Sequence, residues 1–245
     1  MDSIIEIVGT SHIAKHSKKL IKEKFLDLEP DIIAVELDKN RLQSLLNPQN
    51  KNLPSPKLIF SVGFVGYLFV LLGSIIQKKL GSSVGVMPGE DMLYAVQLAK
   101  NNKLDLALID RPIQITLRRL SKQFTFKEKF KVLVDILKIP FQFLYFLLLP
   151  KKSKKKLLQS KSKKSFSLNE VPGDDVIQPI MDLLEKRYPS LFKVLITERN
   201  YFMMRRLVIL TKKNPNKKIL AVVGAGHKKG MLILKNKLLR EIEVV

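Results

Sequence analysis

Four short runs rich in β-branched and aliphatic residues set the limits on the fold: Ser3–Val8, Asp31–Val35, Leu104–Ile109 and Ile219–Val223. Runs of this length, bounded by polar residues, suit buried strands. Helical patterns separate them. In "HSKKLIKEKFLDLEP", Leu20, Phe25 and Leu28 fall toward one face, and the pattern stops before Pro30. "PGEDMLYAVQLAKNN" opens with Pro and Gly, carries Glu90 and Asp91 in its first turn and ends in Lys and Asn. That order suits the helix dipole and the capping preferences. A longer helical pattern, "PSLFKVLITERNYFMMRRLVILTKKN", leads from Pro189 into the last strand. Strands alternating with helices predict an α/β fold, with a mixed or mostly parallel sheet flanked by helices. The 245 residues suit one domain over 1–245, with a helical apolar insertion at 58–77 and an apolar and polylysine segment at 139–165.

The first insertion, Leu58–Gln77, is twenty residues without a charge, long enough to cross a bilayer. Chain order argues against a crossing. His12, Glu36 and Asp38 precede the segment and Asp110 and Arg111 follow it, so a crossing would divide one sheet between two compartments. The expectation is an apolar helix that lies against the domain, against a partner subunit or in a membrane surface. Gly63, Gly66 and Gly73 permit close helix approach in each case. An exposed patch of this size is uncommon on a monomer and favours a homodimer. The second segment, "IPFQFLYFLLLP" followed by eight lysines between Lys151 and Lys164, has two readings of equal weight. One is an anchor for an anionic membrane surface through 141–164. The other is a core helix followed by a solvated loop.

The formal charge is +22, from 44 basic residues against 22 acidic, and 35 of the 44 are lysine. Lysine is a hydrated point charge and arginine a rigid recognition fork. The excess therefore favours attraction to polyanions in general over base reading, and aromatics are not interleaved with the arginines. Nucleic acid is not an expected partner. With no cysteine, disulfides and thiolate chemistry are excluded. The first residues lack the charged start, apolar core and small-residue cleavage site of a signal peptide. The expected location is cytoplasmic, peripheral on the inner face of the membrane.

In open α/β sheets ligands bind beyond the carboxyl ends of the strands. Each candidate strand here runs into polar groups at that end. The first gives Gly9, Thr10 and His12; the second Glu36, Asp38 and Arg41; the third Asp110 and Arg111; the fourth Gly224, Gly226 and His227. Glu198 and Arg199 interrupt an otherwise apolar helix face. In a parallel sheet these groups converge at one rim. Two imidazoles with a carboxylate make a ligand set for zinc, manganese or iron. Such an ion lowers the pKa of bound water, a free carboxylate can serve as general base, and Arg111 or Arg199 can stabilise an oxyanion. The bland alternatives are ion pairs at strand ends, Glu36 with Arg41 and Asp110 with Arg111, and a solvated Glu198–Arg199. His16 is expected at an exposed helix start.

Six ordered motifs resemble one family. "VGTSHIAKHS", "PDIIAVELDKNRLQSLL", "MPGEDMLYAVQLA", "LIDRPIQITLRR", "LITERNYFMMRRL" and "VVGAGHKKGM" are similar to the TraB/PrgY domain family, related to the Tiki proteases and the pheromone-shutdown proteins. The resemblance covers nearly the whole chain. It implies His12, Glu36, Asp110, Glu198 and His227 as site positions, with Arg111 and Arg199 in support. Tiki proteases look like metal-dependent peptidases, and pheromone-shutdown proteins are membrane proteins that limit a peptide signal. The expected function is thus a metal-dependent hydrolase of peptides or amides. His12 and His227, with Glu36 or Glu198, would hold the ion. The alternative is a non-catalytic protein that binds a peptide or small molecule at the membrane face.

Overall fold

The computed structural model describes residues 4–10, 15–47, 55–84, 89–132, 134–135, 138 and 174–243. His12 and the segments 139–165 and 141–164 lie outside the described residues. Two compact units are present, Met1–Gln123 with Leu168–Val245, and Phe124–Ser167. In the smaller unit a helix at 126–132 starts with a capping box. There Thr125 N–H donates to Glu128 Oε2 at 3.2 Å, and Glu128 N–H donates back to the Thr125 hydroxyl at 3.3 Å.

The larger unit is built on a four-stranded sheet: β1 (Ile5–Thr10), β2 (Ile32–Val35), β3 (Asp105–Leu108) and β4 (Ile219–Gly224). Its order is β1-β4-β2-β3, and every pairing is parallel. The strand expectations hold to within two residues at each end. The sheet is wholly parallel because every connection contains helices, which cross back over a face before the next strand begins. Among the described residues ten helical segments accompany the strands in this unit. They include α1 (Lys15–Leu28), α2 (Lys39–Leu46), α3 (Leu58–Val84), α4 (Glu90–Asn101), α5 (Ile113–Gln123) and α6 (Asp174–Arg187). Next, α7 (Pro189–Phe192), a π-helical turn (Lys193–Thr197) and α8 (Glu198–Lys213) form one rod with right-handed backbone at each junction. Last comes α9 (Ala225–Glu243).

Strand side chains alternate between faces. Ile32, Ala34, Ile219, Ala221 and Val223 point toward Met203, Met204, Leu207 and Val208 of α8 and Met231 and Leu238 of α9. Ile33, Val35, Leu220 and Val222 point the other way, toward Ile21 of α1 and Met92, Ala95, Val96 and Ala99 of α4. Both faces are covered, which is why β2 and β4 read as unbroken apolar runs. One consequence positions the site. Adjacent strands β1 and β4 send their following helices, α1 and α9, to opposite faces. Such a divergence opens the crevice where α/β sheets bind ligands.

Helix α3 contains Leu58–Gln77 and packs on α5. It breaks at Gly63, whose φ is +78°. The Ser121 hydroxyl of α5 enters the break, donating to Val62 O at 2.6 Å and accepting from Gly66 N–H at 2.8 Å. A hydroxyl thus replaces a backbone rung, one of the recognised causes of a helix kink. Of the three expected locations for this helix, packing against the domain is met on that face. The opposite face leaves Phe60 94% and Phe64 64% exposed. Among the described residues no helix is long and apolar enough to cross a membrane.

Candidate functional site

Glu36 follows β2 directly, Asp110 stands two residues beyond β3, and His227 is the third residue of α9 after β4. Arg199 and Asn200 enter from the start of α8, just past the π turn. A π turn adds a residue to the helix and is often found at functional sites. These five side chains meet at the carboxyl rim of the sheet, with Glu36 3%, Asp110 6%, Asn200 4% and His227 5% exposed.

Arg199 is the hub. Its Nε and Nη2 donate to Asp110 Oδ1 and Oδ2 at 3.2 and 2.8 Å, a two-pronged grip. Nη2 also donates to Glu36 Oε1, and Nη1 meets His227 Nε2 at 3.0 Å and Leu195 O at 3.3 Å. Burial alone would lower the pKa of this guanidinium, but the charges of Glu36 and Asp110 outweigh it and hold the pKa above the ordinary value. The second oxygen of Glu36 accepts from Gly224 N–H at 2.7 Å, tying the end of β2 to the end of β4. His227 Nε2 lies 3.4 Å from Glu36 Oε1, and its Nδ1 lies 2.6 Å from Asn200 Oδ1.

A second network sits beside the first. Arg111 donates through Nε to the Thr116 hydroxyl at 2.9 Å, through Nη2 to Val194 O in the π turn at 2.9 Å, and through Nη1 to Glu198 Oε2 at 3.1 Å. Arg119 grips both oxygens of Glu198 at 2.6 and 2.9 Å, and Gln123 Nε2 adds a bond of 3.1 Å. Each Glu198 oxygen therefore accepts two bonds. Burial pulls the Glu198 carboxyl up, yet the bonds from Arg119, Arg111 and Gln123 prevail and hold it below the usual range.

Of the expected site residues, Glu36, Asp110, Arg199 and His227 come together in one cluster, and Arg111 with Glu198 in the neighbouring one. His12 lies outside the described residues, although β1 ends at Thr10 level with Gly224 of β4. The expected local pairs give way to distant ones. Glu36 and Asp110 both pair with Arg199 instead of Arg41 and Arg111, and Arg111 pairs with Glu198. Glu198 and Arg199 are not solvated, since both are mostly buried. Asp38 accepts from the N–H groups of Asn40 and Arg41 and serves as the N-cap of α2. His16 is exposed at the start of α1. Neither glycine of the two G-x-x-H motifs, Gly9 or Gly224, makes a left-handed turn, and Gly9 acts by closeness. Gly63 and Gly89 are the positive-φ glycines among the described residues, whereas a Cβ on Gly9 would come within 3.1 Å of the Ala225 backbone.

Sequence reasoning missed Asn200, Arg119, Gln123 and a buried carboxylate, Asp91, which the Thr10 hydroxyl meets at 2.5 Å. The one signal for Asn200 was its place after Glu198 and Arg199 in a polar break of the helix face.

A metal fits the described part of the rim poorly. Arg199 engages both Glu36 Oε1 and His227 Nε2, so a positive charge already stands where an ion shared by those atoms would sit. Among the described residues no three histidine or acidic side chains group as a ligand set.

Residues 2–238 match the TraB/PrgY/gumN family. The chain is 32% identical over 231 residues to the uncharacterized protein MJ1365 of Methanocaldococcus jannaschii, covering 93% of this chain and 52% of that protein. It is 25% and 24% identical over 252 residues to the TraB domain-containing proteins of Mus musculus and Homo sapiens, covering 94% of this chain and 62% of each of theirs. The chain thus spans between half and two thirds of the length of these relatives. The match across nearly the whole sequence establishes that the chain belongs to the TraB/PrgY/gumN family.

Proposed function

We propose that the rim is the reaction centre of a hydrolase acting on peptide or other amide bonds. The observation that supports this is the meeting of Glu36, Asp110, Arg199 and His227, from four separate segments, in one mostly buried charged cluster. Buried ion pairs give weak net stability, so packing alone is a poor reason for keeping this one. In this reading His227 Nε2 is the proton acceptor. Water adds to the amide carbonyl, its proton passes to Nε2 and then to the leaving nitrogen, and the C–N bond breaks. Arg199 gives up the Nη1 contacts to His227 and Leu195 O and turns that nitrogen toward the oxyanion, which also frees His227 Nε2 to take the proton. Glu36 and Asp110 keep its Nε and Nη2 in place. Glu198 has both oxygens filled, so its part is to anchor Arg111 and Arg119.

The expected divalent ion, with His12, His227 and Glu36 as ligands, remains a proposal that the test decides. It requires Arg199 to give up Glu36 and His227. The test is metal analysis of the purified protein, followed by peptide-library turnover of wild type, His227→Ala and His12→Ala. Turnover lost in the histidine variants supports the hydrolase. A stoichiometric ion assigns it to the metal-dependent form, and turnover without metal assigns it to His227 as base.

A second reading, a non-catalytic binding protein, is favoured by the closure of the networks. Among the described residues no buried side-chain polar atom lacks a partner. Protein that binds peptides and never cleaves them decides for this reading. In both readings the outer face of α3, with Phe60 and Phe64, is proposed to meet a membrane surface or a second copy of the chain. Vesicle co-sedimentation against sedimentation velocity separates those partners.

A further inference from the structure

The geometry points to Asn200 as a positioning residue that fixes the tautomer of His227; this deepens the reading of the rim as a reaction centre and rests on it. Arg199 sets the first constraint on the ring. A guanidinium has five donors and no acceptor. Its Nη1 lies 3.0 Å from His227 Nε2, closer than Glu36 Oε1 at 3.4 Å, so the nearer contact calls for a lone pair on that ring nitrogen. A neutral imidazole with a bare Nε2 carries its proton on Nδ1. Nδ1–H then needs an acceptor, and the atom 2.6 Å away on Asn200 must be its oxygen. An amide turned the other way would set N–H against N–H. The chain of donors and acceptors thus fixes the ring and the amide together.

The other end of Asn200 agrees. Its Nδ2 points at Gly230, where a built Cβ would lie only 2.2 Å from that nitrogen. Gly230 stands three residues after His227 on α9, so the two share a helix face. The missing side chain at Gly230 makes room for the amide that holds the ring. Asn200 is buried between α8 and α9, so its amide has little room to rotate away.

Nε2 is the nitrogen the proposed chemistry needs, whether it takes a proton or binds an ion. An outer partner on Nδ1 raises the basicity of Nε2 and orients the ring, and loss of such a partner typically costs about 10–100-fold in activity or metal affinity. Asn200 touches no reacting atom in this scheme. It acts through His227.

The test uses nitrogen NMR on the full chain, in which three histidines make ring signals tractable. His227→Gln assigns the signal of interest by its loss. At neutral pH wild-type His227 is expected as the Nδ1–H form, and Asn200→Asp is expected to keep it. Asn200→Ala is expected to weaken the preference, because Nδ1–H loses its acceptor while Glu36 Oε1 offers one to an Nε2–H ring. If turnover exists, Asn200→Ala should lower kcat by about 10–100-fold, with KM little changed and Asn200→Asp restoring the larger part. An Nε2–H ring in the wild type overturns the inference without any variant, and so does an unchanged tautomer in Asn200→Ala. Because the tautomer is read without substrate, a protein with no turnover refutes the hydrolase reading alone and leaves this inference to its own measurement.

Discussion

Replacing Gly230 by alanine sets two effects against each other, and the structure says which wins. Gly230 lies inside α9, where alanine is the better helix former by about 1 kcal/mol. Without a neighbour the substitution would stabilise the protein by that amount. The new Cβ, however, would stand 2.2 Å from Asn200 Nδ2 and 3.3 Å from Asn200 Cγ. Nothing can remain at 2.2 Å, so either the amide leaves His227 or the helices part. Overpacking of this kind costs about 1–3 kcal/mol. The net expectation is a loss of about 0–2 kcal/mol in the wild-type background. The Cβ of Asn200 lies 4.0 Å away, an ordinary contact. In an Asn200→Ala background the clash is therefore gone, and the same change should stabilise by about 1 kcal/mol. The coupling between the two positions is then about 1–3 kcal/mol. Urea unfolding of the four proteins measures it, provided the slopes of the transitions agree. A Gly230→Ala protein about 1 kcal/mol more stable than wild type, with no coupling to Asn200, would refute the packing described at this crossing.

Arg199→Met should lose about 3–5 kcal/mol, because it leaves Glu36 and Asp110 buried without their cation; adding Asp110→Asn should return part of the loss in urea unfolding. Glu198 sets a pH dependence. Its folded-state carboxyl is held below the usual value, so its stabilisation is complete above about pH 4.5 and is lost as pH falls through the folded-state value. Stability measured across the acid range should fall less steeply in Glu198→Gln than in wild type. At the kink of α3, Gly63→Ala combines a left-handed φ of +78° with a Cβ 2.8 Å from the Ser121 side chain. A loss of about 1–3 kcal/mol is expected, read as a lower thermal midpoint; an unchanged midpoint would show that the kink is not fixed by this contact.

The strands were legible because both faces of β2 and β4 are covered, which leaves runs such as Ile32–Val35 and Ile219–Val223 without a polar residue. Their carboxyl ends were legible for the same reason, since the first polar residue after each run is a rim group. Partner choice was not. Arg41 is the nearest arginine after Glu36 in sequence, but Asp38 caps α2 and the helix it starts buries none of its residues. Arg199 reaches Glu36 from 163 positions away because α8 is packed onto the sheet by Met203, Met204 and Leu207. No local pattern carries that information. Asn200 was nearly illegible for a related reason: beyond its place in the polar break, a lone asparagine in a helix reads as neutral, and its meaning lies in Gly230, thirty residues later on another helix. The π turn likewise has no signature beyond the polar triplet that follows it.

The place of β4 between β1 and β2 bears on the birth of the protein. The first two strands to leave the ribosome cannot bond to each other in the final sheet, because the gap between them waits for the segment ending at Gly224. Until that segment arrives, Glu36 has no Gly224 amide to grip, and residue 227 has not yet been made. Closure by a late, distant strand is slow compared with local contacts. It also ensures that a chain cut short between α8 and β4 carries Glu36, Asp110 and Arg199 but not the assembled rim itself.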